Sequence, residues 1–137
     1  MTIDKPSGEM DLDRLILSME PVLHPQTYVF ATVDHRKNCE HLSPVLQFRE
    51  SEGKSLILTR ETALGEGIAF EFPCRMITLN VHSALEAVGF LARITQRLAG
   101  LSMGVNPVSG FYHDHLFIPE DRAEDAMNEL QKMIDGK

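Results

Sequence analysis

The string HDH at residues 113–115 places two imidazoles and a carboxylate where a metal ion or a catalytic group could be held. Alternate side chains share one face of a strand, so His113 and His115 would point the same way with Asp114 between them. A zinc site needs three or four such ligands. The remaining histidines of the chain are scattered over predicted loops and strand ends. We therefore predict a polar hairpin tip and no metal site, and keep an enzyme built on these three residues as the weakest alternative.

The two cysteines lack the surroundings of a nucleophile. Cys39 lies in a charged loop and Cys74 at the start of a predicted strand, and no CxxC spacing is present. Nucleophilic catalysis would need a base beside the thiol. We therefore predict unpaired, inert thiols in a reducing cytoplasm.

Nucleotide-binding and acid–base motifs are missing from the sequence. Its glycines follow neither GxGxxG nor GxxxxGK[ST], so neither a dinucleotide nor a nucleoside triphosphate is indicated. The acidic residues of 120–125 fit a solvated helix start, where carboxylates complement the helix dipole. The sequence thus predicts no catalytic residue and no cofactor, and the protein is expected not to be an enzyme.

The turn VHSAL at residues 81–85 has a chemical use beyond folding. It joins a predicted buried strand to a predicted helix, and free N–H groups at a helix start can receive a carboxylate. Ser83 with Glu86 three residues later also forms a capping box, so an ordinary capped helix remains the alternative. The turn is a candidate anion site.

Hydrophobic periodicity predicts the elements that position these residues. A helix begins at the Asp11 cap, and after it the chain alternates strands with two longer helices. The predicted strands are 27–33, 43–50, 55–60, 74–81, 105–110 and 115–119, and the predicted helices are 11–19, a short turn within 61–72, 84–99 and the segment after Pro119. The second half thus has the ferredoxin-like order of a split βαβ unit without its final strand. We expect the first half to supply that strand, most simply from 27–33.

Length, charge and hydropathy narrow the class of protein. The chain has 137 residues, enough for one domain or two half-domains, which we place at 1–70 and 71–137. Its net charge of −7, without a cluster of basic residues, makes nucleic acid and anionic membranes poor partners. The N-terminus lacks the features of a signal peptide, and no stretch approaches 18 uninterrupted apolar residues. We expect a soluble cytoplasmic protein.

The second half resembles an ACT domain, a small ferredoxin-like regulatory module that binds amino acids and similar ligands. The resemblance rests on CRMITLNVHSALEAVGFLARITQRLA, VNPVSGFYHDHLFIP and AEDAMNEL. In the first half, SGEMDLDRLILSMEPVL, TYVFATV and SPVLQFRESEG look like part of small stand-alone bacterial proteins with two ACT-like units, similar to the regulatory region of aspartate kinases. The resemblance covers residues 7–133. It implies an α+β fold, a ferredoxin-like βαββαβ sandwich in tandem, with an antiparallel sheet and helices on one face.

The same resemblance implies a regulatory protein that binds a small molecule, expected to be an amino acid, without catalytic activity of its own. The ligand's carboxylate would lie on the amides after Val81, and its ammonium would contact carbonyls or Asn106 from the facing strand. The predicted ligand-binding residues are Val81, His82, Ser83, Ala84, Leu85 and Asn106. Many ACT domains have a proline–glycine pair where this chain has Ser83 and Ala84. We expect a homodimer; the alternative function is an oligomerisation or protein-interaction module without a ligand.

Overall fold

The computed structural model of the protein describes Gly8, residues 11–85 and residues 87–137. Its helices are α1 (Leu12–Ser18), α2 (Arg60–Gly65), α3 (Phe90–Ala99) and α4 (Ala123–Ile134). Its strands are β1 (Pro21–Val33), β2 (Leu46–Arg49), β3 (Lys54–Thr59), β4 (Glu71–Leu79), β5 (Asn106–Ser109) and β6 (Asp114–Pro119). Short 3-10 helices span Glu40–Leu42 and Glu120–Arg122.

The strands form one antiparallel sheet in the order β2-β3-β1-β4-β6-β5. The long strand β1 links its two sides, because its C-terminal part pairs with β3 and its N-terminal part with β4. Within β1-β4-β6-β5, β1 takes the place of the final strand of a ferredoxin-like unit. The predicted fold class is therefore confirmed, and the first half does supply the edge of the second.

The pairing stretch of β1 starts earlier than the sequence predicted. It begins at Pro21 rather than Thr27, and its register with β4 shifts between Leu23 and Thr27, the segment that contains Pro25. A proline removes one ladder hydrogen bond, and an irregularity in the pairing accommodates that loss. The strand thus continues through a residue that would break a regular ladder.

Alternation along the strands separates two faces of the sheet. One face carries Ile77 and Leu79 of β4 and packs against α1, α3 and α4. The other face carries Cys74 and Met76, together with Phe117 of β6. Every described member of the cluster on this second face comes from the strands. The helices therefore lie on one face, as predicted.

The first helix follows its sequence pattern closely. Asp11 is its N-cap, and the carboxylate accepts a hydrogen bond from the amide of Arg14 at 3.1 Å. Leu15 and Ile16 are buried in the helix-side core. The proposed division between residues 70 and 71 coincides with the start of β4, although strands from both sides of it share one sheet.

Candidate functional site

The loop that follows β4 is longer than predicted, and α3 starts later. Helix α3 begins at Phe90, not at residue 84, and its N-cap is Gly89 at φ 89°. Glycine adopts this left-handed conformation without steric penalty, so the loop can end at Gly89 and the helix can begin at the next residue. The predicted capping box is therefore wrong for Ser83, which lies six residues before that N-cap, while its predicted partner Glu86 lies outside the described residues.

Ser83 instead bonds a buried carboxylate. Its hydroxyl donates to Asp114 Oδ2 at 2.9 Å, and the hydroxyl of Ser109 donates to Asp114 Oδ1 at 2.7 Å. Only 7% of Asp114 is exposed. Burying a carboxylate is costly unless hydrogen bonds or charges compensate it. The two hydroxyls hold Asp114 in a fixed orientation on the helix side of the sheet.

Asp114 opens onto a cavity of about 210 Å³, which we call the helix-face cavity. The start of α3 forms its opposite wall, and its N-cap, Gly89, has no side chain that could cap the helix. The lining residues are Ser83, Ala84, Leu85, Ala87, Gly89, Phe90, Leu91, Ala92, Ser109 and Asp114. The first amides of a helix lack intrahelical partners and carry partial positive charge. The cavity therefore presents N–H donors and a carboxylate to the same small space.

The structure brings most, but not all, of the predicted ligand-binding residues together. Ser83, Ala84 and Leu85 line the helix-face cavity. Val81 and His82 lie just before it, and the imidazole of His82 is 5.5 Å from the ring of Tyr112. The amides of Val81 and Ser83 already donate to backbone carbonyls, so the open helix-start amides are those after Gly89.

Asn106 lies elsewhere. It pairs with Phe117, so its side chain points to the helix-free face of the sheet, whereas Ser109 pairs with Asp114 on the helix side. The placement of Asn106 opposite the 81–85 turn is therefore corrected: residues an odd number apart on a strand face opposite sides. Asp114 takes the position in the cavity that Asn106 was expected to hold.

The neighbouring histidines do not converge. His113 precedes β6 and its Nδ1 lies 3.5 Å from the carbonyl oxygen of Val81. His115 Nδ1 lies 2.9 Å from Thr78 Oγ1, which also contacts His24 Nε2 at 2.8 Å. Burial, followed by the nearby charge of His113, lowers the pKa of His115. Across the described ranges, no three His, Cys, Asp or Glu side chains group as a metal site.

Both thiols are buried and free. The Sγ of Cys74 donates to the carbonyl oxygen of Tyr28 at 3.3 Å. Burial, with a smaller contribution from Glu120, raises the pKa of Cys74 to about 12. At neutral pH this residue is a protonated thiol, which is a poor nucleophile. Cys74 therefore serves packing between β1 and β4.

The fold is that of a class of small regulatory modules. The chain belongs to the ACT-domain family: one ACT-domain model matches residues 7–75 and a second matches residues 71–132. The two matches cover both sides of the six-stranded sheet. ACT domains are typically regulatory and ligand-binding. A comparison with curated proteins gives no match.

Solved structures share this architecture. A Vibrio cholerae protein of unknown function, a possible transport protein, is 37% identical over 90% of this chain and 95% of its own, with a TM-score of 0.82. An Agrobacterium tumefaciens protein is 15% identical over 85% of this chain and 89% of its own, with a TM-score of 0.72. The ligand-free regulatory subunit of aspartate kinase from Thermus thermophilus is 9% identical over 86% of this chain and 98% of its own, with a TM-score of 0.59. The similarity to the last two structures is a similarity of fold alone.

No described helix is both long enough and apolar enough to cross a bilayer.

Proposed function

We propose that this protein is a cytoplasmic regulatory protein that binds a small amino acid in the helix-face cavity and has no catalytic activity of its own. One observation carries the proposal: the buried carboxylate of Asp114 and the start of α3, whose N-cap is a glycine, line the same cavity. An amino acid carries an ammonium for the first and a carboxylate for the second. The negative carboxylate on one wall and the partial positive charge of the helix start on the other match the two charges of a zwitterion.

The size of the cavity supports a short side chain on the ligand. Its volume of about 210 Å³ is below the ~300–1,000 Å³ of sites for drug-sized ligands. Alanine and glycine residues make up much of its wall, at Ala84, Ala87, Gly89 and Ala92. Glycine, alanine, serine and threonine are therefore the expected ligand class, and the large aromatic amino acids are expected to bind less tightly.

A thermal-shift screen of the twenty amino acids tests the proposal. A ligand at 100 times its dissociation constant stabilises the folded protein by about 2.7 kcal/mol, which is easily measured. Titration calorimetry of Asp114→Asn with the best ligand should show an affinity loss of roughly 10-fold or more, since a hydrogen bond to a charged group contributes about 1.5–3 kcal/mol. Asn106→Leu is the matched control, because Asn106 faces the other side of the sheet. Equal losses in both variants, or no ligand at millimolar concentration, would contradict the proposal.

The alternative function, an interaction module, rests on a different feature. Leu85, Val88, Phe111 and Tyr112, which we call the loop patch, are exposed, Val88 by 84%. They belong to the loops after β4 and after β5, which meet where the ring of His82 lies 6.4 Å from that of Phe111 and 5.5 Å from that of Tyr112. Exposed apolar groups of this size favour burial against a partner. The proposed homodimer would use this patch, of which Leu85 also lines the helix-face cavity.

Light scattering at tens of micromolar tests the dimer. The wild-type protein should show twice the monomer mass, and Phe111→Ser with Tyr112→Ser should shift it towards the monomer of 15.4 kDa. The control is Phe48→Ser, which removes an equally exposed aromatic ring from a distant strand. A monomeric wild-type protein would contradict the proposed homodimer. A dimer combined with a failed amino-acid screen would favour the interaction module.

A further inference from the structure

A second and larger cavity, of about 700 Å³, lies on the helix-free face of the sheet. Strands β2 and β5 are the two edges of the sheet, yet residues of both line this one space. The sheet therefore curls far enough for its edges to flank a common hollow, which we call the sheet-face cavity. Its volume falls in the ~300–1,000 Å³ range of small-molecule sites.

The walls of the sheet-face cavity are mostly apolar. Phe30, Leu46, Ile57 and Val108 belong to the cluster on this face and line the hollow, and Phe48 contributes a ring that is 63% exposed. The ring of Phe30 is held by edge-to-face contacts with Phe72 at 5.6 Å and Phe117 at 5.9 Å between centroids. Fixed aromatic walls around an open hollow offer apolar surface to a ligand without first rearranging the core.

The charged residues at this cavity all have the same sign. Glu50 and Glu71 are the charged members of its described lining, and both are exposed at its rim. The carboxylate of Glu50 accepts a hydrogen bond from the hydroxyl of Ser55, and this bond orients the carboxylate at the rim. Two carboxylates beside apolar walls attract a cation and repel an anion. A second copy of this chain would bring the same two carboxylates, so it is a poor occupant.

We propose that the sheet-face cavity binds a small organic cation, a primary amine on an apolar body. The aromatic and aliphatic walls cover the body, and Glu50 and Glu71 hold the ammonium at the rim. Amino acids fit this cavity less well, because the same carboxylates repel their α-carboxylate. The proposal is independent of the amino-acid site, which lies on the opposite face of the sheet.

Three probes of matched size and different charge test the proposal on the full-length protein. NMR titrations would compare 2-phenylethylamine, neutral 2-phenylethanol and anionic 3-phenylpropionate. The amine should bind most tightly, the alcohol more weakly and the acid least. The shifted resonances should be those of β2, β5 and the aromatic residues of the cavity. Equal binding of all three probes, or binding of none at ten-millimolar concentrations, would overturn the proposal.

Variants locate the binding and its charge dependence. Glu50→Gln and Glu71→Gln should each weaken the amine roughly 2- to 5-fold, as expected for exposed ion pairs. Glu52→Gln makes the same charge change in the β2–β3 turn outside the cavity, and it should leave affinity unchanged. If Glu52→Gln weakened amine binding equally, the effect would be one of net charge, and the proposed site would be refuted. Asp114→Asn should not alter amine binding, which separates this test from that of the amino-acid site.

Discussion

Ser83 and Asp114 lie 31 positions apart in the chain, and the hydroxyl of one donates to the carboxylate of the other at 2.9 Å in a buried site. This bond ties the loop after β4 to the first residue of β6. It fixes the wall of the helix-face cavity and orients the carboxylate that would hold an ammonium.

Replacing Ser83 should therefore destabilise the protein. Ser83→Ala removes one of the two hydroxyls that compensate Asp114, and we expect about 1–3 kcal/mol less free energy of unfolding. Urea denaturation measures it. The control Ser51→Ala, in an exposed turn, should stay within about 0.5 kcal/mol. In an Asp114→Asn background the cost of Ser83→Ala should shrink, because the bond is then no longer to a charged group; strict additivity would contradict this pairing.

Gly8 should tolerate no side chain. Its φ is 95°, and an added Cβ would lie 2.6 Å from the carbonyl oxygen of His82 and 2.9 Å from the amide nitrogen of Ala84. Gly8→Ala should push the 82–84 backbone away and lower both the melting temperature and the affinity for the best amino acid. Gly67→Ala is the control, because Gly67 also has a positive φ but no atom within 4 Å of the added Cβ. Equal effects of the two variants would assign the loss to backbone strain alone.

His115 should make stability depend on pH. Burial first, and then His113 and His24, lower its pKa against the opposing effect of Asp114. The unfolded chain binds a proton at His115 near pH 6.5, whereas the folded protein binds it only at lower pH. The free energy of unfolding should therefore fall as pH drops from about 6.5 through that window. His115→Asn should flatten this part of the plot of unfolding free energy against pH, and the control His35→Asn, in an exposed loop, should not. Parallel plots for the wild type and His115→Asn would contradict the assignment of the pH dependence to His115.

The second half of the chain should not fold alone. A fragment of residues 70–137 loses β1, which pairs with β4 from Pro21 to Phe30. The exposed ladder of β4 would then be open to pairing with other chains. Expression of this fragment should give an aggregated or molten product by circular dichroism and NMR. A monomeric fragment with dispersed NMR resonances and a cooperative transition would refute this prediction.

Local signals in the sequence predicted the first helix and the central strand but not the cavity. The Asp11 cap and its apolar stripe predicted α1, and the buried pattern of β4 predicted a central strand, because both depend on neighbours in the chain. The start of α3 was predicted too early, because the capping pattern at Ser83 carries no information on the left-handed conformation of Gly89, after which the helix begins. Only tertiary structure shows the hydroxyl of Ser83 bonded to a strand far along the chain.

Asp114 and Asn106 illustrate the same limit. Asp114 appeared in the sequence as the middle of a histidine motif, and nothing local indicated that two serine hydroxyls would enclose it. Asp114 alternates with Leu116 and Ile118, which are buried on the helix side, and this alternation is the one signal that could have placed it there. Asn106 was assigned to the right strand but to the wrong face, which depends on the pairing of β5 with β6.

Strand β5 is four residues long, and two adjacent residues at its end serve different cavities: Val108 faces the sheet-face cavity and Ser109 the helix-face cavity. A slip of one residue in its pairing with β6 would exchange the two faces. Inserting or deleting a single residue within this strand would therefore invert both cavity walls at once. A change of two residues would keep each side chain on its own face, so we expect its effect on the two cavities to be smaller than that of a change of one residue.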